Sequence, residues 1–158
     1  MGKDWLAVDK LALSALIVLC AIGAYGVATL PPTIPTHFSV DGVASGYGSK
    51  LLLLVLPVVG LGLAGLVEAT IKANVTPNLP FTIPDEALER IAPLSAAMQR
   101  ALRAVLLGGF ALLEWAILES AEAGSLAPGF AWALSATIVA TFATIGAYGV
   151  RIWRVARG

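Results

Sequence analysis

Residues 11–30 read LALSALIVLCAIGAYGVATL, a run of the chain without a single charged side chain. In a helix, about 20 residues at a rise of about 1.5 Å each cross the hydrocarbon core of a membrane, which is roughly 30 Å thick. Lipid offers no hydrogen-bond partner to the backbone, so an unbroken apolar run of this length must pair its own peptide groups as a helix. The run therefore predicts a first membrane-spanning helix.

Three further apolar runs follow along the chain. The runs 51–71 and 130–150 contain no lysine or arginine, while the run 101–121 contains Arg103 and Glu114. With 58% hydrophobic residues, 13% charged residues and a mean hydropathy of +0.87, the chain is far more apolar than a soluble domain, in which about a quarter of residues are charged. The sequence predicts an all-α integral membrane protein, with a single four-helix domain over residues 1–158 that contacts the lipid bilayer.

Lysine and arginine are distributed unevenly between the predicted loops. Nine of the ten lie in the N-terminal segment, in the 72–100 loop or just inside the third helix, and at the C-terminus; only Lys50 lies in the 31–50 loop. Basic residues near the ends of membrane helices favour the cytoplasmic side. We therefore predict a plasma-membrane protein with both termini in the cytoplasm and the 31–50 loop outside.

The 31–50 loop, PPTIPTHFSVDGVASGYGSK, is rich in turn residues. Its prolines end the first helix, residues 36–40 alternate like a short strand, and Asp41-Gly42 is a two-residue hairpin signal. Ser49 stands where it can cap the second helix. We predict a short extracytoplasmic hairpin that folds back on the membrane surface.

An ordered string of segments runs through this loop: Leu30-Pro31, Ile34-Pro35-Thr36-His37-Phe38, Gly42 and Gly46-Tyr47-Gly48-Ser49-Lys50. The string resembles the signature of the SdpI-type immunity-protein family and its small relatives, the domain of unknown function 1648 group. The later segments 78–80 and 85–90 are also similar to that family. The chain departs from the family at Ser39 and Ser45, where asparagine and an acidic residue are usual, and fuller members have further helices after the fourth.

This resemblance implies a protein that is not an enzyme and that protects its own cell against a membrane-active peptide toxin. In the best-known case such a protein also holds a cytosolic regulator at the membrane. The candidate recognition loop consists of Pro35, His37, Phe38, Asp41, Gly42, Gly46, Tyr47, Gly48 and Lys50. The candidate docking surface for a cytosolic partner consists of Asn78, Pro80, Glu86, Glu89 and Arg90.

The 72–100 loop contains a helix start of its own. Thr82 is a potential cap, and Pro84 would stand in the first turn. Leu88 and Ile91 fall on one face, which predicts a short helix along the cytoplasmic interface before Pro93 restarts or kinks the chain into the third span. The segment fits either an interfacial linker or a docking surface.

The residues with chemical potential do not form a catalytic or metal site in the sequence. His37, Ser39 and Asp41 alternate, but alternate strand residues lie about 6.6 Å apart, too far for the hydrogen bonds of a triad. One histidine and one cysteine give no metal-ligand spacing, and Cys20 is interpreted as a packing residue. We predict no enzyme activity, no metal, no cofactor and no nucleic-acid partner.

Glu114 lies inside the third predicted span, where an ionised carboxylate is costly. It is interpreted either as paired with a serine or threonine on a neighbouring helix or as part of a transport path. Two classes of function remain open besides transport. The chain is an immunity or sensor protein, or it is an accessory subunit of a larger membrane complex, such as a respiratory complex, with other subunits or its own copies as partners.

Overall fold

Four long helices and one β-hairpin make up the computed structural model, which describes residues 3–73 and 85–157. In chain order the elements are α1 (Lys3–Thr29), β1 (Thr33–Phe38), β2 (Ala44–Ser49), a 3-10 helix (Lys50–Leu54), α2 (Val55–Lys72), α3 (Asp85–Ala123) and α4 (Gly129–Arg157). The fold is mostly helical. Among the described residues, four helical segments are long and apolar enough to cross a membrane: Trp5–Thr29, Lys50–Lys72, Glu86–Ala123 and Gly129–Arg157.

The central helix of the bundle is α3, because α1, α2 and α4 all pack against it. The contact between α1 and α3 is built on the small residues Ala12 and Ala104 beside Leu107. At Gly109 the contact between α3 and α4 leaves no room for a side chain, because an added Cβ would overlap Thr137 of α4. Small side chains therefore set how closely both neighbours approach α3.

The predicted interfacial helix is the first part of α3, which runs from Asp85 through Pro93 as one element. Within a helix, a proline removes one backbone hydrogen bond, and tertiary packing can offset that loss. Here Ile91 is fully buried against Ile152 of α4, while Leu88 remains 37% exposed. The prediction that this segment forms a separate short helix was wrong. Leu88 and Ile91, which were predicted on one face, differ in burial because Ile91 packs against α4.

The hairpin lies across one end of the helices, with Thr33 paired to Ser49 and Pro35 paired to Tyr47. The amide of Ser39 donates to the carbonyl of Val43 at 2.8 Å, and three residues, 40–42, connect the two. Gly42 adopts a φ of +80°, as the last residue of a three-residue hairpin loop commonly does. The predicted turn was therefore one residue too short.

Hydrogen bonds attach the hairpin to the connections on both sides of it. The ammonium group of Lys50 donates to the carbonyl of Leu30 at 2.8 Å, and the amide of Leu126 donates to the carbonyl of Gly42 at 2.9 Å. Ser49 accepts the amide of Leu51 at 3.2 Å and so caps the 3-10 helix. The end of the bundle that the hairpin covers is termed the hairpin end. The opposite end, where α1 begins and α4 ends, is termed the charged end.

Candidate ligand cavity beneath the hairpin

A cavity of about 720 Å³ lies beneath β1, between α2, α3 and α4. Its roof is residues 34–38. Most of its walls are apolar, and they include Leu52, Leu53, Val55, Leu56, Leu113, Ile117, Leu126, Phe130 and Leu134. Cavities that hold small molecules are typically about 300–1,000 Å³ and have mostly apolar walls with a few polar groups. This cavity has the size and the lining of a ligand site.

Glu114 is the charged residue in the cavity wall, and only 1% of its surface is exposed. Its Oε1 atom has no hydrogen-bond partner within residues 3–73 and 85–157. The predicted serine or threonine partner is not found in that part of the chain. Ser120, which also lines the cavity, is already bonded to the carbonyl of Ala116 at 2.7 Å and to the amide of Ala127 at 2.9 Å.

The neighbourhood of Glu114 is close-packed on the side of α1. A Cβ added to Gly23 would lie 3.6 Å from Oε1 of Glu114, 2.8 Å from Cγ of Pro57 and 2.9 Å from the carbonyl oxygen of Leu53. Glycine at this position therefore allows α1 to approach α2 beside the acid. A buried polar atom without a partner costs about 1–3 kcal/mol, so the fold retains Glu114 at the expense of stability.

The cavity opens sideways between α2 and α4. Val55 on α2 is 50% exposed and Leu134 on α4 is 42% exposed, although both residues line the cavity. His37 lies at the rim as well, because it lines the cavity and is exposed. The exposed wall residues on both helices indicate that the cavity is open on this side.

Two glycines of β2 make room for the side chains of β1. A Cβ at Gly46 would lie 3.1 Å from both Cβ and Nδ1 of His37, and a Cβ at Gly48 would lie 3.0 Å from Cγ2 of Thr36. The side chains of His37 and Thr36 thus lie against the backbone of β2, and Nδ1 of His37 is 3.2 Å from the Thr36 hydroxyl. The Gly-Tyr-Gly pattern therefore shapes the roof of the cavity.

The structure divides the predicted recognition residues into three groups. Pro35, His37 and Phe38 line the cavity. Tyr47 is 67% exposed, Asp41 is exposed at the hairpin tip, and the ammonium group of Lys50 is bonded to the main chain. The remaining members, Gly42, Gly46 and Gly48, act through the backbone. The sequence alone does not separate residues that face the cavity from those that face away.

The predicted docking residues lie near the charged end. Glu86, Glu89 and Arg90 are exposed on the first turns of α3. Asn78, Pro80 and the potential cap Thr82 lie outside the described residues. No structural feature near the three described residues favours docking over a plain surface, and the docking surface stays a prediction.

Ser39 and Asp41 are hydrogen-bonded to each other at the hairpin tip, where the Ser39 hydroxyl donates to the Asp41 carboxylate. The prediction that strand spacing keeps this pair apart was wrong, because β1 ends at Phe38 and the chain turns immediately afterwards. This hydrogen bond lowers the pKa of Asp41 below its usual range, and a backbone hydrogen bond adds to the effect. The Ser39 hydroxyl also lies 2.9 Å from the carbonyl oxygen of Val43, so these polar contacts stabilise the turn.

Sequence analysis missed an ion-pair cluster near the charged end, which joins α1, α2 and α3. Asp9 accepts hydrogen bonds from Arg100 at 2.5 Å and from Arg103, and Arg103 also donates to Glu68 at 3.2 Å. Arg103 is 8% exposed, whereas Lys72, which pairs with Glu68 at 3.5 Å, is largely exposed. A signal was available, because these charges lie at the same end of three predicted antiparallel helices.

Residues 15–61 match the family model described as a domain of unknown function, DUF1648, which is the domain found in SdpI-like proteins. The match covers most of α1, the hairpin and the beginning of α2, and so it includes the roof of the cavity but not Glu114. No curated protein and no solved structure matches the chain. The domain-level part of the predicted resemblance is confirmed, while membership of the immunity family stays a prediction.

Proposed function

We propose that this chain is a non-enzymatic, multi-pass plasma-membrane protein that recognises a membrane-active peptide at its hairpin end, as an immunity or sensor protein. The observation that carries this proposal is the position of the hairpin as the roof of an apolar, laterally open cavity. The DUF1648 match over residues 15–61 supports it, because that domain occurs in SdpI-like proteins and here contains the hairpin.

The distribution of basic residues supports a hairpin end that faces outward. Nine lysines and arginines belong to the part of the chain near the charged end, and Lys50 is the exception. Such a bias orients membrane helices with the basic end in the cytoplasm. In this arrangement a peptide that arrives from outside meets the hairpin and the cavity mouth first.

Exposed acids at the hairpin end favour a cationic peptide. Asp41, Glu119 and Glu122 are exposed there, whereas the ammonium group of Lys50 is held by the carbonyl of Leu30. A surface with an excess of one charge concentrates ligands of the opposite charge and speeds their association. The proposed ligand therefore combines positive charge with an apolar body.

A binding role accounts for these features without a reaction. Among the described residues, no group of three histidine, cysteine, aspartate or glutamate side chains is placed to hold a metal ion. Ser39 and Asp41 are hydrogen-bonded to each other, and His37 is hydrogen-bonded to Thr36.

The accessory-subunit and transport hypotheses stay predictions. The exposed apolar face of α4, which includes Trp132 and Phe142, fits lipid as well as a partner subunit.

Deletion of the gene in its own host tests the proposal. The deletion strain should become more sensitive to the membrane-active peptide fraction of the host's own culture medium, measured as surviving colonies. The wild-type gene should restore survival, and a double His37→Ala, Phe38→Ala variant should not. A Val40→Ala variant, which changes an exposed tip residue outside the cavity, is the matched control. Equal survival of the parent and deletion strains would reject the proposed function.

A further inference from the structure

We propose that the cavity beneath the hairpin binds a primary ammonium group carried on an apolar body, with the ammonium group against Glu114. This inference rests on the proposed function in one respect, since it identifies the chemical class of ligand for the same site. The ligand we infer is an apolar peptide segment with one lysine or a free N-terminus.

Glu114 has a buried oxygen atom without a hydrogen-bond partner among the described residues. Its side chain is almost fully buried in the cavity wall, and Oε1 has no partner in the described chain. The other described acids of α3 near this end differ, since Glu119 accepts the indole N–H of Trp115 at 2.9 Å and Glu122 is exposed. A carboxylate in an apolar site is stabilised by a ligand that supplies positive charge and hydrogen-bond donors.

On the side of α1, the carboxyl group of Glu114 is enclosed. A Cβ added to Gly23 would lie 2.9 Å from the carbonyl oxygen of Leu53 and 3.6 Å from Oε1 of Glu114. The cavity, whose wall includes Glu114, is therefore the side on which we expect a ligand to reach the acid. An ammonium group has three N–H donors, so it can donate more than one hydrogen bond to a carboxylate.

The remaining walls select the apolar body of the ligand. Leucine, isoleucine and phenylalanine side chains from α2, α3 and α4 surround the acid. The 720 Å³ volume accommodates one small molecule or a short stretch of peptide, but not a folded domain. The side opening between α2 and α4 admits a ligand that is already dissolved in the membrane.

Negatively charged side chains also lie close to the cavity that contains Glu114. A shallow acidic depression of about 520 Å³, lined by Glu119 and Glu122, adjoins the cavity because Leu126 belongs to both. Cationic ligands would be concentrated at this depression, close to the cavity. The charge at the surface and the acid in the cavity thus favour the same class of ligand.

Monodansylcadaverine is a suitable probe, because it joins a primary amine to an apolar fluorophore. The full chain, purified into phosphatidylcholine nanodiscs, is titrated with this amine and with dansylamide, which has the fluorophore without the amine. We expect saturable fluorescence enhancement by the amine and binding of dansylamide that is weaker by about tenfold or more. Equal affinity for the two probes in the wild-type protein would overturn the inference without any variant.

Two variants complete the test. Glu114→Gln keeps the side-chain shape and should weaken amine binding by about tenfold or more, while dansylamide binding stays the same. Glu89→Gln removes the same charge from an exposed position of α3 near the charged end and should change amine binding by less than about threefold. Unchanged amine binding in Glu114→Gln, or an equal loss in both variants, would overturn the role of Glu114.

Competition identifies the source of the ammonium group. A short leucine–alanine peptide with a single lysine should displace the amine, and the same peptide with glutamine in place of lysine should not. If phosphatidylethanolamine in the nanodiscs abolishes amine binding, the site takes a lipid headgroup, and the peptide assignment is overturned. Amine binding without any survival defect in the deletion strain would reject the proposed function and leave this inference standing. A survival defect without amine binding would reject this inference and leave the proposed function standing.

Discussion

The two ends of the bundle treat buried charge in opposite ways. Near the charged end, the buried guanidinium group of Arg103 contacts carboxylates from two other helices, Asp9 on α1 and Glu68 on α2. Near the hairpin end, Glu114 is buried with an unpartnered oxygen in the wall of a cavity. Near the charged end, paired charges therefore hold helices together, whereas near the hairpin end the acid Glu114 is buried with an unpartnered oxygen.

This difference separates a structural site from a candidate binding site. A buried charge with partners from neighbouring helices fixes helix packing, although desolvation offsets much of its Coulombic attraction. A buried acid without a partner does not fix helix packing, and it lowers the stability of the fold unless a ligand binds to it. We therefore assign a structural role to the charges near the charged end and place the proposed recognition role near the hairpin end.

The largest expected effect comes from removal of the central guanidinium group near the charged end. Arg103→Ala leaves Asp9 and Glu68 without their shared partner. Because both carboxylates are partly exposed and each keeps a second basic partner, we expect the loss of these charged hydrogen bonds to lower the free energy of unfolding by about 2–4 kcal/mol. Reversible unfolding in detergent micelles, followed by circular dichroism, measures the change. The matched control is Lys72→Ala, which removes the exposed partner of the same Glu68 and should cost less than about 1 kcal/mol. Similar losses in both variants would contradict a structural role specific to Arg103.

A smaller effect of opposite sign is expected at the hairpin end. Glu114→Met replaces the unpartnered acid by an apolar side chain of similar length and should raise the free energy of unfolding by about 1–3 kcal/mol. The same unfolding assay measures it, and Glu122→Met on the exposed end of α3 should change stability by only about 0.5 kcal/mol. Destabilisation by Glu114→Met would show that the acid has a stabilising partner, and the contrast between the two ends would fail.

The smallest effect concerns the titration of the hairpin tip. The pKa of Asp41 is lowered by the Ser39 hydrogen bond, so this bond favours the folded tip above the ordinary pKa of aspartate. That contribution is lost as the pH falls through the lowered pKa of the folded protein. Ser39→Ala should move the pKa of Asp41 back toward its usual value, as measured by the carboxyl carbon chemical shift in an NMR titration. Ser45→Ala, on β2, should leave it unchanged, and identical titrations in all three proteins would exclude the Ser39 effect.

Local sequence patterns predicted the helices and the hairpin, because length, hydropathy and turn residues act over short stretches of chain. The four apolar runs correspond to α1 to α4, and the prolines and Asp41-Gly42 lie around a hairpin. The predictions were less accurate where a distant contact decides the outcome. Residues 85–123 form one helix in which Ile91 packs against Ile152 of α4, and no pattern within residues 85–100 encodes that contact.

The candidate site was predicted only as separate parts. His37 and Phe38 came from the loop pattern, and Glu114 stood out as an acid in an apolar run. Nothing in their spacing placed them in one cavity. Their common location depends on how β1 folds over the ends of α2, α3 and α4, which is a property of the packed bundle.

The sequence by itself determined that this protein has four helices of membrane-spanning length, with a turn-rich hairpin between the first two. Those features follow from the hydropathy and backbone preferences of neighbouring residues. Only the tertiary structure decided which charges are paired. Arg103 meets Asp9 across ninety-four positions of the chain, while Glu114 faces a cavity. The rotation and register of one helix against another set the partner of each buried side chain, and local sequence does not specify them.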